Sequence, residues 1–304
     1  MLQIYRPAPP YQWSWIAIKG PDAADFLHRL TTVHVKAMNP GEGSPGFFLT
    51  AQGKMRAYFY IWMVSPEEFF FEVDPGISGR WKQELLKVID QFHFGEKITV
   101  ESGDASPLQM AWIFGQLDGP TPNHFVDQTG GARLLHHGDR DFGISWISAW
   151  ADGPALDSWL GTLQGQKINQ PEVDAMRIHA TRAKLDAELT ENTIPLEAGL
   201  RDAISDNKGC YPGQEVIERI ISLGAPARRL VRLEGTGASP TVGEPIKSAD
   251  GSQEIGNVTS VAKTPTGFEA LGYVKKIHAK EGLEVSFSQP THPLARLVVI
   301  APYA

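Results

Sequence analysis

Residues 189 to 224 read LTENTIPLEAGLRDAISDNKGCYPGQEVIERIISLG, and this stretch decides how the rest of the chain is read. Val216, Ile217, Ile220 and Ile221 recur at helical spacing and predict an amphipathic helix. Pro212 suits its first position and Gly224 its C-terminal cap. Cys210 then lies one or two residues before the helix. A thiol there feels the positive end of the helix dipole, with Lys208 close by, and both favour thiolate. Two readings of Cys210 stay open: a reactive thiol able to bind a metal transiently, or a small buried hydrophobe. Gly209 and Gly213 bracket it, as points of close backbone or ligand approach or simply as turn residues.

Upstream, residues 13–19 (WSWIAIK) predict a strand, ended by Gly20 and Pro21, which open a helix. Ala23, Phe26, Leu27 and Leu30 form one buried stripe on that helix. Residues 47–50 and 55–64 flank the turn-rich AQGK and predict a hairpin. A strand at 69–73, a helix through Trp81, Leu85, Val88, Ile89 and Phe92, and a strand at 97–100 complete an α+β unit. The polar SGDASP at 102–107 marks a boundary. Beyond it, strands are expected at 108–114, 132–137 and 142–148, a loop at 118–123, and helices at 154–164 and 171–183. From Pro226 onward, short alternating segments (LVRLEG, IGNVTSVA, ALGYV, LEVSF, ARLVVIA) separated by turn signals predict a small β-barrel or sandwich. The expected domains are therefore 1–105, 106–225 and 226–304, the first two free to exchange segments.

The 304 residues carry 28 Lys and Arg against 35 Asp and Glu, a net charge of −7, with 42% hydrophobic residues. That composition is globular, and the acidic balance argues against nucleic-acid wrapping. The single cysteine rules out an internal disulfide or a cysteine-cluster metal site and fits a reducing compartment. No secretory signal is legible at the N-terminus, and no apolar run reaches the ~18–20 residues that span a bilayer. A cytoplasmic location is expected. Phosphate-loop, dinucleotide and nucleophile-elbow motifs are missing. The adjacent His136 and His137 point to opposite faces of a strand, so no metal set is expected there.

Lys208-Gly209-Cys210-Tyr211-Pro212-Gly213-Gln214-Glu215 resembles the K-G-C-Y-x-G-Q-E signature of YgfZ-type folate-binding proteins, relatives of the glycine-cleavage aminomethyltransferase (GcvT-like, T-protein). The preceding ENTIPLEAGLRDAIS, the N-terminal IKGPDAADFLHRLTT, PGEG and FFLTAQGKM, and the C-terminal IGNVTSVAKTPTGFEALGYV are similar to that family as well. The likeness is weak in roughly 105–170. The resemblance implies a three-domain α+β cloverleaf around a central opening that binds tetrahydrofolate or a related folate. It implies a role in the assembly or repair of iron–sulfur proteins, including a radical tRNA-modifying enzyme, with those proteins or their maturation machinery as partners. Direct nucleic-acid binding and a membrane are not expected.

The resemblance also assigns residues. Trp13 corresponds to a family tryptophan implicated in folate binding. Arg177-Ile178-His179-Ala180-Thr181 corresponds to an R-[IL]-E-A-G stretch whose glutamate pairs with the pterin edge. Here His179 replaces the glutamate, Thr181 the glycine, and Val173 a second tryptophan. A carboxylate accepts two parallel N–H bonds where a neutral imidazole accepts one. Arg177 faces either the glutamyl tail of a folate or a salt-bridge partner. The aminomethyltransferase acid pair corresponds to Ala57 and Tyr58, and no Asp or Glu lies between Gly43 and Glu67. That loss speaks against aminomethyl transfer. An accessory role with Cys210 as the functional thiol is the first expectation. A folate-dependent one-carbon transferase and a ligand-free scaffold are the alternatives.

Overall fold

The computed structural model describes residues 1–8, 13–74, 76, 79–103, 108–128, 131–139, 141–288 and 294–301. The elements run β1 (Leu2–Tyr5), β2 (Ser14–Lys19), α1 (Ala23–Leu30), β3 (Gly43–Leu49), β4 (Met55–Ser65), β5 (Glu68–Val73), α2 (Arg80–Phe92) and β6 (Thr99–Ser102). Then come β7 (Leu108–Phe114), β8 (Phe125–Asp127), β9 (Arg133–Gly138), β10 (Trp146–Asp152), α3 (Gly153–Leu160), β11 (Gly165–Lys167), α4 (Gln170–His179) and α5 (Gln214–Ser222). The chain ends with β12 (Arg228–Thr236), β13 (Pro245–Ser248), β14 (Glu254–Thr264), β15 (Gly267–Lys275), β16 (Glu284–Phe287) and β17 (Ala295–Ile300). It divides into two compact units: Met1–Gln170 with Asp202–Gln214, and Pro171–Arg201 with Glu215–Ala304.

The first unit holds two sheets. One is five-stranded and antiparallel, in the order β3-β4-β5-β2-β6. The other has six strands, ordered β11-β1-β7-β10-β9-β8, with β11 parallel to β1. Side-chain alternation sorts the residues into layers. From β2, β4 and β5, Ile16, Ile18, Phe59, Ile61, Phe69 and Phe71 join one core with Phe26 and Leu27 of α1 and Leu85, Val88 and Ile89 of α2. The opposite parity, with Tyr60 and Trp62 of β4 and Phe70 and Glu72 of β5, meets His137, Trp146, Ser148 and Trp150 of the six-stranded sheet. The layer between the sheets is therefore made of Trp, Tyr, His and carboxylate side chains. In the second unit, β12-β15-β14-β13-β16-β17 closes a barrel around Val231, Leu233, Val258, Phe268, Val285 and Leu297.

Several local expectations shift. Strand β2 starts at Ser14, one residue after Trp13, and α1 begins at Ala23 rather than at Pro21. Asp22 precedes α1 and its carboxylate accepts from the Lys97 amide at 2.7 Å. The strand expected at 142–148 runs from Trp146 to Asp152, because Gly143 adopts φ +69° in a turn. The fourth helix ends at His179, four residues short of expectation. Barrel strand β13 was not expected, because its sequence PIKS has one apolar side chain besides the proline and shows no alternation. Asp104–Pro107 of the expected boundary lie outside the described residues.

Candidate functional site

The signature loop is built from pieces far apart in sequence. Residues 202–206 dock beside the C-terminal end of α1. Thr32 Oγ1 donates to Ala203 O at 2.6 Å, the Ser205 amide to Thr32 O at 2.9 Å, and the His34 amide to Ser205 Oγ at 3.0 Å. Lys208 follows, and its ammonium donates to His28 O at 2.7 Å and to Thr31 O. These carbonyls close the last turn of α1, where a helix accepts a cation. The same ammonium lies 4.9 Å from the Tyr211 ring centroid. Burial pushes Lys208 down to about 8.

Gly213 fixes the other end. Its φ is +84°, and a Cβ there would stand 2.5 Å from Thr50 O and 2.9 Å from Gly53 Cα. Both atoms belong to the tight AQGK turn, closed by Gly53 N to Thr50 O at 2.9 Å and Thr50 N to Lys54 O at 2.8 Å. The signature, the α1 segment and the AQGK turn thus meet in one place. Cys210 sits between the two anchors and is exposed.

This corrects the expected helix start. A residue with φ +84° at position 213 cannot belong to a right-handed helix, so α5 begins at Gln214 and Pro212 is not its first residue. Cys210 precedes the helix by four residues, and the Lys208 amine is turned to the carbonyls. Ile217 is the buried member of the α5 stripe, while Val216, Ile220 and Ile221 are half-buried. Gly224 caps as expected, with φ +83°. His28 stands near Gly209, with its ring 5.1 Å from that of His34. Burial first, and then the charges of Lys208 and His34, push His28 down to about 4, so it is neutral at pH 7. Among the described residues, no group of three or more His, Cys, Asp or Glu side chains is placed to hold a metal ion.

Trp13 is half-buried in the layer between the sheets of the first unit. Its ring lies 5.2 Å from Trp112 and 6.5 Å from Trp146, both edge-on, and 6.4 Å from Tyr60, nearly parallel. Beneath this group is a buried carboxylate that sequence reasoning missed. Glu72 accepts from Trp62 Nε1 at 2.8 Å, Trp150 Nε1 at 2.7 Å, Ser148 Oγ and His137 Nε2 at 3.1 Å. A serine, a histidine and a glutamate meet here, but not in nucleophile geometry. His137 Nε2 faces both Ser148 Oγ (3.0 Å) and Glu72, and no partner orients Nδ1 among the described residues. Asp141 accepts from Tyr60 OH and Trp146 Nε1 in the same layer. His136 points the other way, to Pro120 O and Ser145 Oγ.

Arg177 and His179 lie in the second unit. The Arg177 guanidinium is buried and committed to Asp174 (2.7 Å), Glu188 (3.2 Å), Arg182 O (3.3 Å) and Ser260 Oγ (2.8 Å). Of the two readings of Arg177, this geometry is the salt-bridge partner. His179 is 70% exposed in its side chain, with Nδ1 2.8 Å from both Glu269 Oε1 and Arg232 Nη1. Val173 is buried.

Helix α4 closes with the Thr181 amide donating to Ile178 O (3.0 Å) and the Arg182 amide to Arg177 O (2.8 Å). This pattern places a left-handed residue at 181, where Thr181 has φ +60°. A β-branched residue is strained there. Thr181→Gly is expected to raise stability by about 0.5–1 kcal/mol, the relief of strain outweighing the added freedom of the unfolded chain. Thermal denaturation checks it, and a lowered midpoint would refute it.

No family model matches the chain. The tRNA-modifying protein YgfZ of Klebsiella pneumoniae is 25% identical over 275 residues, 84% of this chain and 80% of the relative. The mitochondrial iron-sulfur cluster assembly factor IBA57 of Mus musculus is 28% identical over 253 residues, 74% of this chain and 66% of the relative. The crystal structure of glycine cleavage system aminomethyltransferase T from Bartonella henselae matches with a TM-score of 0.83 at 18% identity, over 100% of this chain and 86% of that one. The likeness to that structure is one of fold. In its sequence the chain is similar to YgfZ-type proteins, and in its fold, with the closed C-terminal barrel, to a glycine-cleavage aminomethyltransferase.

Proposed function

We propose that the protein is an accessory factor for iron–sulfur cluster assembly or repair, and through it for tRNA modification, with a folate-type ligand and Cys210 as its working thiol. One observation carries the reading. The signature loop is anchored at Lys208 and Gly213 and holds Cys210 exposed between them, in a chain similar to a tRNA-modifying protein and to an iron–sulfur cluster assembly factor. An exposed thiol on a fixed loop suits transient contact with a cluster-carrying partner protein. The cytoplasm as its compartment and the three-domain division at about 105 and 225 belong to the same proposal.

The fold likeness to an aminomethyltransferase favours one-carbon transfer as a second reading. The residues disfavour it. Ala57 is buried in the core, and the Tyr58 ring packs 4.8 Å from Phe47. The nearby carboxylate that the chain does carry, Glu72, is enclosed by its donors.

The test is complementation in cells lacking the native copy, read as the activity of an iron–sulfur enzyme. Wild-type protein is expected to restore activity. Cys210→Ala is expected to leave it at the deficient level while accumulating normally, since an exposed side chain contributes at most about 0.5 kcal/mol to folding. Full rescue by Cys210→Ala would remove the thiol from the mechanism and favour a scaffold role.

A further inference from the structure

The exposed thiol is held by a neighbouring side chain rather than by its own backbone. Asn207, Gly209 and Cys210 are exposed and make no hydrogen bond among the described residues. Gly209, beside the thiol, adds backbone freedom. On one side of this stretch the Ser205 amide is tied to Thr32 O, and on the other Gly213 is wedged against the AQGK turn. Between those points the Lys208 ammonium reaches back to α1.

Three neutral groups surround that ammonium. His28 O and Thr31 O accept from it, and the Tyr211 ring centroid lies 4.9 Å away. No carboxylate pairs with it among the described residues. The two carbonyls belong to the last turn and the C-cap of α1, where the helix dipole presents its negative end. An ammonium is a compact charge with three donors, which suits two carbonyls and a ring face gathered around one point. The platform beneath is firm. Thr32 is fully buried, and its Oγ1 donates to Ala203 O at 2.6 Å and accepts from the Phe47 amide of β3 at 2.9 Å. The end of α1 is thus fixed to the sheet, and Lys208 fixes the loop to the end of α1.

We propose that Lys208 is the positioning residue of the Cys210 thiol: its ammonium latches the exposed loop to the carbonyl end of α1 and so presents the thiol in one place. Gly213 pins the far end of the loop but leaves Gly209 and Cys210 free to move once the latch is lost. The inference rests on the reading of Cys210 as the working thiol and adds what places that thiol.

The experiment uses the single cysteine. A methanethiosulfonate nitroxide attached to Cys210 labels this loop alone. Its spectrum is recorded for wild type, for Lys208→Met, which keeps the stem and removes charge and donors, and for Lys208→Arg, which keeps both. Spectra are taken well below the melting transition of each protein, so that a loss of global stability does not enter. Wild type and Lys208→Arg are expected to show an immobilised nitroxide, and Lys208→Met to lose that component to a mobile one. In cells lacking the native copy, unlabelled Lys208→Met is expected to lose most of the rescue of the iron–sulfur enzyme and Lys208→Arg to keep it. A nitroxide as immobile in Lys208→Met as in wild type overturns the latch, since Gly213 then suffices. A mobile nitroxide with full rescue by Lys208→Met overturns the positioning role. Lys208→Arg failing with Lys208→Met in both readouts overturns the part given to charge and donors. Full rescue by Cys210→Ala removes the thiol reading instead, and the spectra still decide whether Lys208 holds the loop.

Discussion

Glu72→Gln is expected to destabilise the first unit by about 3 kcal/mol, and Glu72→Ala by more, read as a lower urea midpoint. The carboxylate is fully buried and receives Trp62, Trp150, Ser148 and His137. Glutamine keeps the shape but turns an N–H₂ group toward donors, so at least one pair is lost and its hydrogen is stranded. Alanine strands all of them. Stranding a buried donor costs about 1–3 kcal/mol each. These donors come from both sheets, so the loss also loosens the sheet-to-sheet layer.

The same group sets an acid dependence. Burial by itself pushes the Glu72 carboxyl up, but the charge of His137 beside it and hydrogen bonds from His137, Ser148 and Trp150 outweigh burial and hold it below the usual carboxylate range. The folded state therefore binds fewer protons than the unfolded state in acid. The contribution is complete above the ordinary glutamate value of about 4.3 and fades as pH falls through the depressed native value. Wild type is expected to lose its advantage over Glu72→Gln on acidification from pH ~5 to pH ~3. A difference that stays constant over that range would show that the native and unfolded carboxyls titrate alike, and one that grows on acidification would show that the carboxyl is not ionised in the fold.

Gly213→Ala is expected to cost about 2–4 kcal/mol, while Gly209→Ala stays within about 1 kcal/mol. The contrast is steric. At position 213 the new methyl meets backbone atoms, Thr50 O at 2.5 Å and Gly53 Cα at 2.9 Å, and neither can rotate away; the φ of +84° adds strain. At position 209 the nearest atom is His28 Nε2 at 3.7 Å, an ordinary contact. Equal denaturation midpoints for the two variants would show that the AQGK turn yields. With the predicted loss, the Gly213 variant also releases one anchor of the Cys210 loop and is expected to fail the complementation test for a reason separate from the thiol.

Much of the local structure was legible in the sequence. The i, i+3, i+4, i+7 stripe on α1, the hairpin around AQGK and the alternating segments of the barrel each follow from spacing within a dozen residues, where chain geometry acts directly. The string KGCYPGQE identified the loop, and Gly213 was legible as a point of close approach. Its partner was not: Thr50 and Gly53 lie some 160 residues earlier in the chain. Nor was the helix start, because Pro212 fits a first helical turn and a left-handed residue beside it leaves no periodic trace.

The layer between the sheets marks the division most clearly. Alternation along EFFFEV determines that Phe69 and Phe71 share one face and Phe70 and Glu72 the other. Nothing in that hexapeptide says that the second face is covered, since a strand with one acid on a face reads equally as solvent-exposed. The partners of Glu72 on the other sheet, Ser148 and Trp150, stand 76 and 78 residues away. Sequence determined the longer elements, their faces and the signature, because these depend on neighbours along the chain, while the short strands β1, β8, β11 and β13 left no legible pattern. Only the tertiary structure decided that Glu72 is buried, that Lys208 closes the end of α1, and that Arg177 is committed to Asp174, Glu188 and Ser260. Hydrogen-bond partners and desolvation are set by which distant surfaces pack together, and local periodicity carries no record of that choice.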